Sequence, residues 1–141
     1  MPSITGIAHV ELTVSNLNTS VAWYVRLLDA TEVFRSVDAR ERIVAAALRE
    51  PRSGLVIALT QHDDPLGGRF NPRRVGLDHL AFGVPSEGDL EDWAIRFDAL
   101  GLNHSPIRDY GYGLAVTLPD PDGIALEFFY ARVRGPDASA S

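Results

Sequence analysis

The chain has 141 residues, of which 45% are apolar, and this suits one compact domain with a real core. A formal net charge of −6 without any basic block disfavours a nucleic-acid or anionic-membrane surface. The lack of cysteine excludes disulfides and thiolate metal sites, so any metal must be held by nitrogen and oxygen. No apolar run approaches the roughly 18 residues that cross a bilayer, and no secretory signal is visible, so we expect a soluble cytoplasmic protein.

The first half of the chain predicts a strand, a helix and three more strands. The segment GIAHVELTVSNL, residues 6–17, is predicted to begin as a strand. A helix is predicted over TSVAWYVRLLDA, residues 19–30, because it follows the polar cluster at 15–18. The strand-like runs that follow are TEVFRSV at 31–37, ERIVAAAL at 41–48 and GLVIALTQ at 54–61.

The second half repeats this order after a linker at 62–75, which is rich in proline, glycine and charge. GLDHLAFGV at 76–84 predicts a short buried strand, and DLEDWAIRFDALG at 89–101 predicts a helix that ends at Gly101. Three strands are predicted next: a short one near 106–110, then 112–119 and 123–130. A turn at 119–123 separates the last two, and a polar tail follows at 132–141.

An offset of 70 residues relates the two halves. It places Gly6 on Gly76, His9 on His79 and Trp23 on Trp93, which are the two tryptophans of the chain. Self-similarity of this kind indicates two copies of one structural unit, here modules at 4–61 and 76–131 of a single domain.

A carboxylate stands out in the last predicted strand of the second half. Glu127 lies in the apolar run IALEFFY, where an ionised carboxylate is costly unless it is paired or bound to a cation. When the last strands are aligned on Gly54 and Gly123, Ala58 takes the equivalent place in the first half. If a twofold axis relates the halves, His9, His79 and Glu127 form a metal site with a fourth corner left open, as catalytic metals require.

These motifs resemble the vicinal oxygen chelate superfamily, which includes glyoxalases, bleomycin-resistance proteins and extradiol dioxygenases. The resemblance runs from Gly6 to Tyr130 and rests on GIAHVELTVSNL, SVAWYVRLL, GLDHLAFGV and DPDGIALEFF. It implies an α+β fold with two tandem βαβββ modules that form a curved mixed sheet around a central cup. It also implies a homodimer and a divalent metal (iron, manganese, zinc or nickel) held by His9, His79 and Glu127.

The resemblance leaves two classes of function open. Glyoxalase I has a glutamate where this chain has Ala58, so that activity is disfavoured, whereas two histidines and one glutamate resemble the ligand set of extradiol dioxygenases and fosfomycin-inactivating transferases. The leading hypothesis is therefore a metal-dependent dioxygenase, lyase or transferase that acts on a small oxygen-chelating molecule. The alternative is a metal-free protein that binds a drug or metabolite, as bleomycin-binding members do.

Several further residues are weaker candidates for the site. Tyr110 and Tyr112 are candidate catalytic groups whose hydroxyls could orient a substrate oxygen, although a structural or lid role fits them as well. Glu11 shares a predicted strand face with His9 and either lines the cavity or lies on its rim. The remaining candidates each have a functional and an ordinary explanation. His62 or His104 could be the additional acid or base that an extradiol dioxygenase is expected to have, or a solvated loop residue. A bound anionic substrate group or a charged surface explains Arg35, Arg42 and Arg108, and pocket volume or the seat of a helix explains Ala45, Ala46 and Ala47.

Overall fold

The computed structural model describes residues 1–40, 43–63 and 66–132. Arg42 and all but the first residue of the predicted tail lie outside these ranges, as does part of the predicted linker. The chain divides into two compact units, Met1–Gly68 and Arg69–Ser141, each with its own sheet.

Unit one, Met1–Gly68, is a four-stranded mixed sheet with one helix. Its elements in chain order are β1 (Val10–Thr13), α1 (Leu17–Leu28), β2 (Thr31–Asp38), β3 (Ile43–Arg49) and β4 (Val56–His62). The strand order is β1-β4-β3-β2, in which β1 runs parallel to β4 and the other pairs are antiparallel. The helix α1 therefore connects β1 to β2 at the opposite edge of the sheet, and not to its parallel neighbour β4.

Unit two, Arg69–Ser141, has the same topology. Its elements are β5 (Leu80–Gly83), α2 (Glu87–Ala99), β6 (Arg108–Asp109), β7 (Gly113–Pro119) and β8 (Ala125–Ala131). The order β5-β8-β7-β6, with β5 parallel to β8, matches unit one strand for strand. The predicted α+β fold with two βαβββ modules is confirmed.

Both helices begin two residues earlier than their sequences predict, because the capping residue lies further upstream. The Asn16 side chain accepts a hydrogen bond from the Thr19 amide, and Ser86 caps α2 by accepting from the Asp89 amide. At the end of α2, the amides of Gly101 and Leu102 donate to the carbonyls of Asp98 and Phe97, so the predicted stop at Gly101 is confirmed.

One face of each sheet is covered by the helix of the same unit. In unit one the buried side of α1, which includes Tyr24 and Leu27, packs on β3 and β4. In unit two Phe97 is fully buried, and Trp93 packs on Phe128 of β8 with 4.6 Å between ring centroids. The opposite sheet face in each unit therefore remains for a site. No helix of the described part of the chain is long and apolar enough to cross a membrane.

The two histidines singled out by the repeat precede their strands rather than lying within them. β1 begins at Val10 and β5 at Leu80, one residue after His9 and His79. Gly6 and Gly76, three residues before each histidine, have φ values of 118° and 145°, which are strained for any side chain. This backbone turns the chain into the strand, so the predicted strands at residues 6 and 76 start too early.

Glu50 organises the turn between β3 and β4, and its removal tests that turn. Its carboxylate accepts hydrogen bonds from the Arg52 amide (3.1 Å), the Ser53 amide (2.6 Å) and the Ser53 hydroxyl (2.5 Å). Burial opposes ionisation, but these hydrogen bonds prevail and lower the Glu50 pKa below 4.5. Because the folded pKa is lowered, the stabilisation is complete above the unfolded pKa and is lost as pH falls through the folded pKa.

We expect Glu50→Ala to lower the free energy of unfolding by about 1 kcal/mol near pH 7. The difference between variant and parent shrinks as the pH falls below about 4.5, because the unfolded parent then binds a proton that the folded parent still lacks. Urea denaturation at pH 7 and at pH 3.5 measures both values. A difference that stays constant between the two pH values contradicts an ionised turn carboxylate.

Candidate metal site and its surroundings

Parallel pairing of β5 with β8 brings His79 and Glu127 together. Ala81 is the Cα partner of Glu127, and His79 lies two residues before Ala81, so its side chain leaves the sheet on the same face. The Nε2 atom of His79 lies 3.7 Å from Oε1 of Glu127. This separation is too long for a hydrogen bond.

Asp78 fixes the orientation of the His79 ring. Its Oδ1 lies 2.7 Å from Nδ1 of His79. A carboxylate acceptor at Nδ1 places the ring proton there and leaves the lone pair on Nε2, the nitrogen that faces Glu127. A carboxylate that holds a histidine in this way is the usual outer partner of a metal-binding imidazole.

Glu127 is largely shielded from water, with 17% of its side chain exposed. Within the described ranges, His79 is the partner that its carboxylate meets, and no hydrogen-bond donor satisfies it. Two atoms that each lie about 2.1 Å from one ion are about 3.0 to 3.4 Å apart, slightly less than the observed 3.7 Å. The imidazole nitrogen and carboxylate oxygen thus fit a divalent transition metal between them.

Unit one carries its carboxylate on the other strand of the matching pair. There Glu11 of β1 is the Cα partner of Ala58 of β4, whereas in unit two Ala81 of β5 is the partner of Glu127 of β8. The Glu11 carboxylate accepts a hydrogen bond from the Thr60 hydroxyl at 2.9 Å. The repeat offset of 70 aligns Glu11 with Ala81, so the exchange of the carboxylate between strands is visible in the sequence.

Glu11 also lines a polar cavity on the face of sheet one that α1 leaves uncovered. The cavity has a volume of about 460 Å³. Its lining consists of small, hydroxyl and ionisable side chains: Glu11, Thr13, Ser36, Asp38, Ala45, Thr60 and His62. The sequence left open whether Glu11 lines a cavity or lies on a rim, and the structure places it in the lining.

His9 lies in unit one, exposed and directly before β1, while His79 and Glu127 lie in unit two. Neither unit by itself, over the described residues, gathers three histidine, aspartate or glutamate side chains able to hold a metal. The three-residue set therefore stays a prediction. The structure brings two of its members, His79 and Glu127, close to each other.

Tyr110 and Tyr112 flank Gly111 in the tight turn between β6 and β7. Their rings are stacked at 6.1 Å with an interplanar angle of 27°, and Tyr112 also approaches the Phe129 ring at 6.0 Å. Both tyrosines are exposed, at 44% and 60%. Phe129 follows Glu127 by two residues on β8, so these rings lie on the Glu127 face of the sheet.

His62 is exposed as predicted but does not lie in a loop, whereas His104 lies in a loop as predicted but is mostly shielded from solvent. His62 is the last residue of β4 and lines the unit-one cavity, because β4 extends one residue further than predicted. His104 has only 15% of its side chain exposed: Nδ1 contacts the Ser105 carbonyl at 2.6 Å and Nε2 contacts Asp98 at 3.0 Å. Its ring also packs on Phe97, so His104 has a structural role in unit two.

The arginine and alanine candidates have defined places in the sheets. Arg35 pairs with Glu32 at 2.5 Å and also donates to Asn18, as a surface charge does. Arg108 is exposed on β6, while Arg42 is outside the described residues. Ala46 is buried, whereas its neighbour Ala45 lines the cavity on the other face of β3, so the two alternatives for this run apply to different residues.

The contact between Asp78 and His79 can be tested by Asp78→Ala. We expect about a 10-fold loss of Mn(II) affinity, at the lower end of the usual effect of such partners because Asp78 is well exposed. Isothermal titration calorimetry measures it. Asp98→Ala is the matched control, since Asp98 is equally exposed and contacts His104. Equal losses in both variants would contradict a specific role for Asp78.

A comparison with protein families identifies the chain. The model of the Glyoxalase/Bleomycin resistance protein/Dioxygenase superfamily matches residues 6–128. The chain belongs to this superfamily. The sequence-based resemblance is therefore confirmed, and it extends over both βαβββ modules.

Relatives within the superfamily have different activities. A glyoxalase/bleomycin resistance/dioxygenase domain from Frankia sp. EAN1pec is 36% identical, with a TM-score of 0.82 over 92% of this chain and 100% of that one. Biphenyl-2,3-diol 1,2-dioxygenase 3 from Rhodococcus globerulus is 27% identical over 136 residues, which are 94% of this chain and 67% of that enzyme.

A mutant of the fosfomycin resistance protein FosX from Listeria monocytogenes shares the fold. It is 24% identical, with a TM-score of 0.66 over 89% of this chain and 92% of that one. That crystal structure is a complex with Mn(II) and 1S,2S-dihydroxypropylphosphonic acid. The comparisons thus place the chain among superfamily proteins that include a dioxygenase and a resistance protein, without selecting one activity.

Proposed function

We propose that this chain is a divalent-metal-dependent enzyme that acts on a small oxygen-chelating substrate. The carrying observation is the pair formed by His79 and Glu127, in which a shielded carboxylate without a hydrogen-bond donor faces the free nitrogen of an oriented imidazole. Mn(II) in the FosX structure supports the choice of a divalent transition metal.

His79 and Glu127 would hold the ion together with His9. The third ligand is proposed from the repeat, in which His9 takes the same place relative to β1 as His79 does to β5. Two nitrogens and one oxygen leave positions for two substrate oxygens. A divalent ion bound there supplies Lewis acidity, which stabilises negative charge that develops on a substrate oxygen.

The chain's own residues then determine which chemistry is possible. Asp78 contacts Nδ1 of His79, which in the neutral ring selects the tautomer whose Nε2 lone pair is directed at the site, as a metal ligand requires. Ala58 contributes no proton acceptor, and we therefore do not propose the isomerisation of glyoxalase I. Glu11 is the Cα partner of Ala58, and its carboxylate accepts a hydrogen bond from Thr60. Unit one thus carries a carboxylate on β1 beside the position of Ala58.

Metal analysis of protein purified without chelators tests the proposal. We expect the parent chain to retain manganese, iron, zinc or nickel and to lose it in a Glu127→Ala variant. The loaded protein is then assayed with catechols, 2-oxo compounds and fosfomycin, and turnover should cease when EDTA removes the metal. Ligand binding that is identical with and without metal would instead support a metal-free binding protein.

A further inference from the structure

We propose that the ring stack formed by Tyr110, Tyr112 and Phe129 binds a planar aromatic ring of the substrate. This inference rests on the proposed function, because the substrate oxygens are taken to lie at the His79 and Glu127 pair. It assigns the tyrosines a recognition role through their rings instead of a catalytic role through their hydroxyls.

The stack is continuous with the candidate metal site. Glu127 and Phe129 are alternate residues of β8 on one face, about 7 Å apart along the strand. The centroid of the Tyr112 ring lies 6.0 Å from that of the Phe129 ring and 6.1 Å from that of the Tyr110 ring. A substrate whose oxygens reach Glu127 would therefore place its remaining atoms against aromatic surface.

The floor beside the stack is made of small residues. Ala81 and Gly83 of β5 are both exposed and are the Cα partners of Glu127 and Phe129. Side chains of this size leave open the space above the sheet that a larger residue would fill. This exposed strip of β5 runs beside β8 from the level of Glu127 to the level of Phe129.

Gly113 is required for the position of the Phe129 ring. A Cβ added at Gly113 would lie 2.4 Å from Cζ of Phe129 and 2.5 Å from the carbonyl oxygen of Tyr130. Any side chain there would have to displace the ring or the backbone of β8. The ring consequently lies over the glycine, against the start of β7, where it meets Tyr112.

Hydrogen bonds within unit two hold the turn that carries the tyrosines. Asp109 accepts hydrogen bonds from the Gly111 amide at 2.8 Å and from the Arg132 guanidinium at 2.7 Å. The Arg132 amide donates to the Tyr112 carbonyl, and the Tyr110 amide donates to the Gly113 carbonyl, both at 2.9 Å. Exposed rings on such a rigid support lose little entropy when a ligand stacks on them.

Two hydroxamates that share one chelating group test the proposal. Benzohydroxamate carries a phenyl ring and acetohydroxamate a methyl group, so they differ in what they present to the stack. We expect Tyr112→Ala to raise the Kd of benzohydroxamate for Mn(II)-loaded protein by about 3- to 10-fold, and that of acetohydroxamate to stay unchanged. Tyr112→Phe should leave both unchanged, because it keeps the ring.

The controls separate this proposal from a structural effect and from the proposed function. Ile95→Ala removes an exposed apolar side chain from α2 and should alter neither Kd, and thermal unfolding verifies that every variant is folded. Equal weakening of both hydroxamates, a Tyr112→Phe variant that behaves like Tyr112→Ala, or no binding of benzohydroxamate would overturn the ring proposal. Chelator-treated protein that binds benzohydroxamate as tightly as Mn(II)-loaded protein would overturn metal dependence alone. In that case the ratio of the benzohydroxamate Kd values of Tyr112→Ala and Tyr112→Phe still reports the ring contact.

Discussion

Replacing His79 by alanine is expected to lower the affinity of the protein for Mn(II) by at least about 100-fold. Loss of an outer partner of a metal ligand already costs about 10- to 100-fold, and His79 is the ligand itself in the proposed site. Alanine also leaves the Glu127 carboxylate facing empty space at low exposure, with no described donor to replace the imidazole. Isothermal titration calorimetry with Mn(II) measures the change.

Two variants separate ligation from other effects of losing a histidine. His62→Ala is the matched control, because His62 is exposed at the end of β4 and is not a proposed ligand, so its Mn(II) affinity should equal that of the parent. Glu127→Gln keeps the side-chain volume but removes the charge, and we expect it to weaken Mn(II) binding as His79→Ala does. Parent-like affinity in both His79→Ala and Glu127→Gln would contradict the site.

Most of the fold can be predicted from the repeat in the sequence, because each copy contains its own local signals for where helices and strands begin. Gly6 and Gly76 adopt backbone conformations that other residues resist, and Asn16 and Ser86 cap their helices. These signals act within a few residues, so one sequence suffices to read them. The predicted starts of helices and strands differ from the observed ones, because a cap or a glycine, and not the apolar pattern, decides where an element begins.

The candidate site depends on contacts that no local signal encodes. Pairing of Glu11 with Ala58 follows from the register of β1 on β4, across 47 residues of chain. The match of Ala58 with Glu127 has an offset of 69 instead of 70, so it becomes visible only when the glycines of the last strands are aligned. Likewise, Asp78 is an ordinary surface aspartate until the structure places it on Nδ1 of His79.

The packing beneath β8 is the structural support of the site, and Phe128 is its centre. Phe128 is 1% exposed, and its ring lies 5.0 Å from that of Phe82, 4.6 Å from that of Trp93 and 5.1 Å from that of Phe97. Because side chains alternate along a strand, burial of Phe128 against α2 directs Glu127 to the opposite face. The aromatic core and the orientation of the carboxylate are thus set by the same two consecutive residues.

Phe128→Ala is therefore expected to lower the free energy of unfolding by about 3 to 5 kcal/mol. That is a large share of the roughly 5 to 15 kcal/mol by which domains are stable, because the cavity would lie among three other rings that cannot all collapse into it. Urea denaturation followed by tryptophan fluorescence measures the loss, since Trp93 contacts the altered position.

The exposed Ile95 of α2 gives the matched control, and Ile95→Ala should change stability by no more than about 0.5 kcal/mol. A loss below about 1 kcal/mol in Phe128→Ala would contradict a close-packed aromatic core beneath the site. In Phe128→Leu, which fills most of the volume, the fold should persist while β8 is held less firmly. If the core orients Glu127, this variant binds Mn(II) more weakly than Ile95→Ala does, although neither substitution touches a proposed ligand.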